Sequence, residues 1–174
     1  MKPLLFLDVD GVLNPEPVSS GRRPEGFETH RMRPSGWTNP RVKPLRVWLN
    51  PEHGELLKAL PVELTWGTAW EHEANEWIGP HLNLPKLPVV EFGQCNSPER
   101  GVHWKTQYLV EYAKGRPFIW LDDEVSLTRD NAWIRARVTQ PYLLIQVPPL
   151  KGLLQEHLDR IKEFAQALDD GRLD

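Results

Sequence analysis

The chain has 174 residues and a formal net charge of −3, which favours one domain and excludes a globally basic nucleic-acid binder. The single cysteine, Cys95, excludes an internal disulfide and favours a reducing compartment. The apolar start is interrupted at Asp8, too early for a signal peptide, and no apolar run approaches the roughly 18 residues of a membrane span. We therefore expect a cytoplasmic protein.

The chain begins with a strand pattern and continues into a proline-rich segment. Residues 4–9 include an apolar run that predicts a buried strand. Residues 15–49 then carry seven arginines and lysines against three glutamates, and six of the 17 prolines. We interpret this segment as a basic, mostly irregular insertion with a short hairpin of residues 29–33 with 42–48. Structureless loops of this length inside a compact domain are usually functional or disordered.

After the insertion, helical and strand patterns alternate. Helices are predicted from Pro51 to about Leu60, with Asn50 as the N-cap, and over residues 70–78, 104–113 and 150–168. Strands are predicted over residues 62–66, 89–92, 118–121 and 142–147. This alternation, with strands that are apolar throughout, predicts an α/β fold with a mostly parallel sheet covered on both faces.

Two of the predicted strands end in carboxylates. Asp8 and Asp10 follow the first strand and precede Gly11, and Asp122 and Asp123 follow the strand at 118–121. A helix N-cap accounts for one aspartate but not for this set. Like charges gathered at one place repel unless a cation lies between them, so the sequence predicts a metal site at the carboxyl edge of the sheet.

A hydroxyl and a lysine occupy two further turns. Thr68 lies where the strand at 62–66 gives way to a helix, a place where backbone N–H groups can hold a phosphate; an N-cap role is the alternative. Thr65 competes for the same assignment, and we prefer Thr68 because Thr65 would leave a shorter strand. Lys105 begins the helix predicted at 104–113.

In this order the four segments resemble the motifs of the haloacid dehalogenase-like (HAD) phosphohydrolase superfamily. Asp8-Val9-Asp10-Gly11-Val12 looks like its first motif, Thr68 like the second, Lys105 like the third and Asp122-Asp123 like the fourth. The resemblance implies a Rossmann-like three-layer sandwich, as a single domain over residues 1–174 with a cap-like insertion at about 15–49. The segments at 66–75 and 120–124 look most like small bacterial HAD domains associated with predicted RNA-repair proteins.

The same resemblance implies a Mg²⁺-dependent phosphatase. Asp8 would attack the phosphoryl group to form an aspartyl-phosphate, and Asp10 would protonate the leaving oxygen and then deprotonate the hydrolytic water. Lys105 and Thr68 would neutralise and orient the phosphate oxygens. The metal site would be formed by Asp8, Asp10, Asp122 and Asp123, with the Val9 carbonyl as a further ligand.

The expected partner is a phosphorylated small molecule or a nucleic-acid end, without a membrane. A nucleic-acid end-processing phosphatase and a non-catalytic HAD-fold binding module are the alternatives. The insertion could provide a groove for an anionic substrate, because arginines bind phosphates and aromatic rings stack on bases; a solvated, positively charged loop is the competing interpretation. The side chains concerned are Arg22, Arg23, Arg31, Arg33, Trp37 and Trp48.

Overall fold

The computed structural model describes residues 2–19, 21–37 and 39–173. The strands in these residues are β1 (Leu4–Leu7), β2 (Glu28–Met32), β3 (Leu45–Leu49), β4 (Glu63–Trp66), β5 (Phe118–Asp122) and β6 (Tyr142–Gln146). The α-helices are α1 (Glu52–Lys58), α2 (Thr106–Ala113), α3 (Arg129–Arg135) and α4 (Gln155–Asp169). A short π-helix (Ala74–Ile78) runs into a 3₁₀ turn (Gly79–Leu82).

The central sheet is parallel throughout, with its four strands in the order β4, β1, β5, β6. Each connection between these strands is a crossover that contains helical residues, as parallel neighbours require. Leu7 lies opposite both Trp66 and Leu121, so β1, β4 and β5 reach the same edge of the sheet together. The predicted parallel α/β sheet is confirmed.

Both faces of the sheet are buried, because alternate residues of β1 enter two different cores. Leu5 and Leu7 pack in a core that also contains apolar side chains of α1, α4 and the β2–β3 hairpin. Leu4 and Phe6 pack on the opposite face with side chains of α2 and α3. Helices therefore cover each side of the sheet, which gives the three-layer, Rossmann-like arrangement that the sequence predicts.

The insertion contains an antiparallel hairpin in which Glu28–Met32 pairs with Leu45–Leu49. The hairpin was expected at 29–33 with 42–48, so its second strand begins later than predicted. One face of the hairpin contributes Met32, Val47 and Leu49 to the core. Between the strands, the Arg33 guanidinium donates hydrogen bonds to the carbonyls of Asn39, Pro40 and Val42 at 2.9–3.5 Å.

The helix predicted at 70–78 is wrong over its first half. Residues 69–72 form turns, because Glu71 adopts a left-handed conformation at φ 44°. In that conformation the Glu71 carboxylate accepts a hydrogen bond from the Phe92 amide at 2.7 Å. The strand predicted at 89–92 is also wrong: in the described chain only Val89 bridges to Trp66.

One helix boundary and one whole helix also depart from the sequence pattern. The helix predicted at 150–168 begins only at Gln155, after Gly152 at φ 70°. The helix α3 has no counterpart among the predicted elements. None of the helices in the described part of the chain has the length and apolar character needed to cross a bilayer.

Candidate active site

The aligned strand ends bring the predicted site residues to one edge of the sheet. Asp8 follows β1 directly, Asp122 is the last residue of β5, and Thr68 lies two residues beyond β4. The Asp8 amide donates to the Leu121 carbonyl at 3.2 Å, and the Gly67 amide donates to the Leu7 carbonyl at 3.0 Å. These bonds extend the parallel pairing past the strands and fix the spacing of the loops that carry the polar side chains.

Lys105, just before α2, lies between two of these carboxylates. Its Nζ is 2.6 Å from Asp8 Oδ2 and 2.7 Å from Asp122 Oδ2, and all three side chains are buried. Burial alone would lower the pKa of Lys105, but the charges of Asp8 and Asp122 outweigh it and hold this pKa above its ordinary value. The lysine is therefore a fixed positive charge.

The pKa values of the two carboxylates that contact Lys105 are shifted in opposite directions. Burial raises the pKa of Asp8, and the nearby charge of Asp122 adds to that effect while Lys105 opposes it. For Asp122, Lys105 outweighs burial, and the pKa is held below its ordinary value. Asp122 also accepts hydrogen bonds from the Trp120 indole at 3.1 Å and the Glu124 amide at 2.8 Å, so this carboxylate is stabilised as an anion.

A third carboxylate completes a group that could hold a metal ion. Oxygen atoms of Asp8, Asp122 and Asp123 lie within 4.8 Å of one another. Burial, followed by the charge of Asp122, raises the pKa of Asp123 to about 6. Three carboxylates against one lysine provide excess negative charge and hard oxygen donors, and this donor set fits Mg²⁺.

The conformation of Gly11 makes room for that group. Its φ of 73° favours glycine, and a Cβ at this position would lie 2.2 Å from Asp123 Cγ. The glycine after Asp10 is thus required both by the backbone turn and by the closeness of Asp123.

Asp10 lies outside this carboxylate group and is held separately. Its Oδ1 accepts a hydrogen bond from Asn14 Nδ2 at 2.7 Å, and its Oδ2 accepts one from the Trp70 indole at 2.9 Å. Both oxygens therefore have a fixed direction, which suits a group that delivers and removes a proton. The described carboxylates that could share a cation are those of Asp8, Asp122 and Asp123, without Asp10.

The two candidate threonines occupy different environments. Thr68 lies at the wall of the cleft, and its Oγ1 accepts a hydrogen bond from the Trp70 amide at 3.4 Å. Thr65 is fully buried within β4, and its hydroxyl has no hydrogen-bond partner among the described residues. Of the two, Thr68 is the one that a substrate in the cleft can reach.

These residues surround a cleft of about 310 Å³. Asp122 lies beneath it and is fully buried. A larger hollow of 520 Å³ beside α3 contains none of the predicted site residues. The cleft is lined by Asp8, Asp10, Gly11, Glu16, Thr68, Ala69, Trp104, Lys105, Asp123 and Glu124.

Sequence reasoning missed a buried carboxylate that joins two of the site loops. Asp130 is fully buried and accepts hydrogen bonds from the His103 amide at 2.7 Å, the Thr106 hydroxyl at 2.6 Å and the Ser126 amide at 2.7 Å. It thereby ties the segment before Lys105 to the loop after Asp122. Asn14 and Trp70 were also missed as partners of Asp10, and the position of Asn14 two residues after the first motif was the available signal.

Three of the side chains predicted to line a substrate groove in the insertion are occupied by contacts within the insertion. Trp48 is 4% exposed and lies beneath Arg46, so its ring is covered and cannot stack on a base. The guanidinium of Arg33 is bonded to carbonyls of its own loop. The Trp37 indole donates to the Lys43 carbonyl at 2.8 Å. These three side chains stabilise the insertion itself.

The fold and the strand-end residues define a class: a domain of the haloacid dehalogenase-like type. A family model described as the HAD domain in Swiss Army Knife RNA repair proteins matches residues 4–158. The chain belongs to this family. No curated protein and no solved structure matches this chain.

Proposed function

We propose that the protein is a Mg²⁺-dependent phosphomonoesterase in which Asp8 is the nucleophile. The observation that carries the proposal is the placement of Lys105 Nζ within 2.7 Å of both Asp8 and Asp122 at the floor of an open cleft. Attack on a phosphoryl group requires an ionised carboxylate. Lys105 opposes the burial that raises the pKa of Asp8, and a cation held by Asp8, Asp122 and Asp123 would oppose it further.

Asp8, Asp122 and Asp123 would hold the Mg²⁺, which when bound neutralises charge on the carboxylates and on the phosphate. In the proposal, an Asp8 oxygen attacks phosphorus, and the bond from phosphorus to the leaving oxygen breaks. The Lys105 ammonium and the Thr68 hydroxyl orient the phosphate oxygens. The alcohol leaves as the aspartyl-phosphate on Asp8 forms. Water then hydrolyses this aspartyl-phosphate in a second step.

Asp10 is assigned to the proton transfers. Its carboxyl group would protonate the leaving oxygen in the first step, and its carboxylate would take a proton from water in the second. The hydrogen bonds from Asn14 and Trp70 support this role, because they fix the carboxyl plane without neutralising its charge.

For the substrate, we propose a terminal phosphate on a nucleic-acid end, and an RNA end in particular. The family is described by its occurrence in RNA repair proteins, and the insertion beside the cleft is basic although the chain as a whole carries a net charge of −3. We also expect the protein to act as a single domain over residues 1–174, with residues 15–49 as its cap, and to be cytoplasmic.

A phosphatase screen with Mg²⁺ tests this function. Wild type and Asp8→Asn are compared on an aryl phosphate, small phosphorylated metabolites and oligonucleotides phosphorylated at the 3′ or 5′ end. We expect turnover that the variant loses by roughly 10⁴-fold or more, as when a nucleophile is removed from other hydrolases. Folded protein with no Asp8-dependent turnover on any of these substrates would instead favour a non-catalytic binding module.

A further inference from the structure

The hairpin places two arginines directly opposite each other. Arg31 on β2 pairs with Arg46 on β3, and directly opposite residues of an antiparallel pair project from the same face. The residues that flank Arg46 in β3 belong to the core side, so the two arginines lie on the face turned away from it. Like charges in this position destabilise a hairpin unless a negative charge lies between them.

Arg46 is held in place, but not by a polar partner. Its guanidinium carbon lies 3.7 Å from the centroid of the Trp48 ring, and its Nη1 is buried without a hydrogen-bond partner. Throughout the residues that the structure describes, neither the Arg31 nor the Arg46 side chain makes a hydrogen bond or an ion pair. Arg31 is exposed and Arg46 is half-buried, so their solvent-facing guanidinium N–H groups can bind an acceptor from outside the chain.

The arginine pair is joined to the active site through Asn14. The Trp48 amide donates to Asn14 Oδ1 at 2.9 Å, and Asn14 Nδ2 donates to Asp10 Oδ1 at 2.7 Å. Burial and the charge of Arg31 lower the pKa of Arg46, while the charge of Asp10 raises it, so Asp10 lies within electrostatic reach. Asp10 does not form an ion pair with Arg46, because its two oxygens accept from Asn14 and Trp70.

We propose that Arg31 and Arg46 bind a second phosphate of the substrate, the phosphodiester next to the terminal phosphate of an RNA strand. The inference rests on the proposed function and names the second contact that its substrate makes. Guanidinium groups bind phosphate oxygens through paired N–H donors. An anion between the two arginines removes their repulsion and accepts hydrogen bonds from their exposed N–H groups. A polynucleotide repeats its phosphates, so one strand can occupy the cleft and the hairpin together.

The test compares three substrates that differ in their phosphates. An oligoribonucleotide with a terminal phosphate, the matching nucleoside monophosphate and a nucleoside bisphosphate are turned over by wild type, Arg31→Gln and Arg46→Gln. For the oligonucleotide we expect each variant to raise KM about tenfold with kcat unchanged, which is the pattern of lost uniform binding. The KM for the monophosphate should change less than about twofold. The slope of log KM for the oligonucleotide against log salt concentration should also decrease by about one in each variant.

Arg41→Gln is the matched control, because Arg41 is an exposed arginine of the same insertion that does not belong to the opposed pair. The proposal would be overturned if Arg41→Gln raised the oligonucleotide KM as much as Arg31→Gln does, or if Arg31→Gln raised the monophosphate KM as much as the oligonucleotide KM. Either result would indicate a general electrostatic attraction between the basic insertion and anionic substrates. An effect confined to the nucleoside bisphosphate would overturn the assignment to an RNA strand. Arg31→Gln decides the matter if Arg46→Gln fails to fold, since Arg31 is exposed and unbonded.

Binding separates this proposal from the proposed function. Fluorescence anisotropy of a labelled oligoribonucleotide with Asp8→Asn protein measures affinity without turnover. If the wild type proves inactive, Arg31→Gln in the Asp8→Asn background should still weaken oligonucleotide binding about tenfold. If the wild type is active and Arg31→Gln changes neither binding nor KM, the arginine pair is not a phosphate site, although the proposed function stands.

Discussion

Charge is arranged in opposite ways at the sheet edge and on the β2–β3 hairpin. At the sheet edge, the Lys105 ammonium lies within 2.7 Å of two buried carboxylates. On the hairpin, Arg31 and Arg46 face each other, and neither side chain has a hydrogen bond or ion pair within the described chain. The first arrangement is partly compensated within the chain and is suited to chemistry, whereas the second requires an external anion and is suited to recognition.

The largest effect on stability should come from breaking the compensated arrangement. Lys105→Met removes the shared cation and leaves Asp8 and Asp122 buried beside each other. Loss of one partner of a buried ion pair typically costs about 3–5 kcal/mol, so we expect the free energy of unfolding in urea at pH 7.5 to fall by that amount. The loss should shrink as the pH is lowered, because protonation of either carboxylate removes the repulsion.

Lys58→Met provides the control for that measurement. Lys58 Nζ lies 2.6 Å from Glu55 Oε1, the same separation as between Lys105 and Asp8, but both partners are exposed to solvent. Exposed pairs of this kind contribute about 0–1 kcal/mol. Similar losses in the two variants would show that burial does not distinguish the sheet edge from an ordinary surface pair.

A second prediction concerns the attachment of the insertion to the body of the domain. The ring of His53 in α1 is 7% exposed and packs edge-on against Phe27 of the insertion at 5.5 Å, and its Nδ1 has no hydrogen-bond partner among the residues that the structure describes. Burial lowers the pKa of His53 to about 4, so the folded state resists protonation. Its contribution to stability is complete above pH 6.5, and about 3 kcal/mol is lost as the pH falls from 6.5 to about 4.

His53→Leu isolates this contribution, because leucine keeps an apolar side chain in the pocket and does not titrate. The variant should lose less stability than the wild type between pH 6.5 and 4, measured by urea unfolding at each pH. His72→Gln, at an exposed histidine, should keep the wild-type dependence. If the unfolding free energy of His53→Leu fell with pH as much as that of the wild type, His53 would not be the group responsible for the loss.

A smaller effect is expected where the two regions meet, at Asp10. Trp70→Phe keeps an aromatic ring but removes the N–H that donates to Asp10 Oδ2 at 2.9 Å. We expect kcat for an alkyl phosphate to fall about tenfold, with a smaller decrease for an aryl phosphate, because a good leaving group depends less on the proton from Asp10.

Trp66→Phe is the matched variant, because its indole donates to Asn75 at 3.0 Å and not to a site residue. It should lower stability without changing the ratio of alkyl to aryl turnover. Equal decreases for the two substrates with Trp70→Phe would argue against Asp10 as the proton donor.

The sheet and its polar edge could be predicted because each depends on a local pattern. The apolar runs of β1 and β5 end directly in carboxylates, and parallel strands bring such ends together whatever the connections contain. This reasoning placed Asp8, Thr68 and Asp123 around one region, the family resemblance added Lys105, and the structure brings all four to one cleft. Their catalytic roles remain predictions.

The features that escaped prediction depend on contacts between distant segments. Asp130 joins loops that are separated by more than twenty residues of chain, and α3 carries no strong local signal. The turn at Glu71 replaces a predicted helix, because its carboxylate bonds to Phe92. On the hairpin, the sequence pattern indicated basic residues but not the register that sets Arg31 against Arg46.

The central claim, that Asp8 carries the phosphoryl group, is tested most directly by acid quench of a single turnover. Protein with Mg²⁺ is mixed with an oligoribonucleotide bearing a labelled terminal phosphate, stopped in acid, digested and analysed by mass spectrometry. The account predicts label on the peptide that contains Asp8, and none with Asp8→Asn. Turnover by Asp8→Asn, or label bound to another residue, would contradict it.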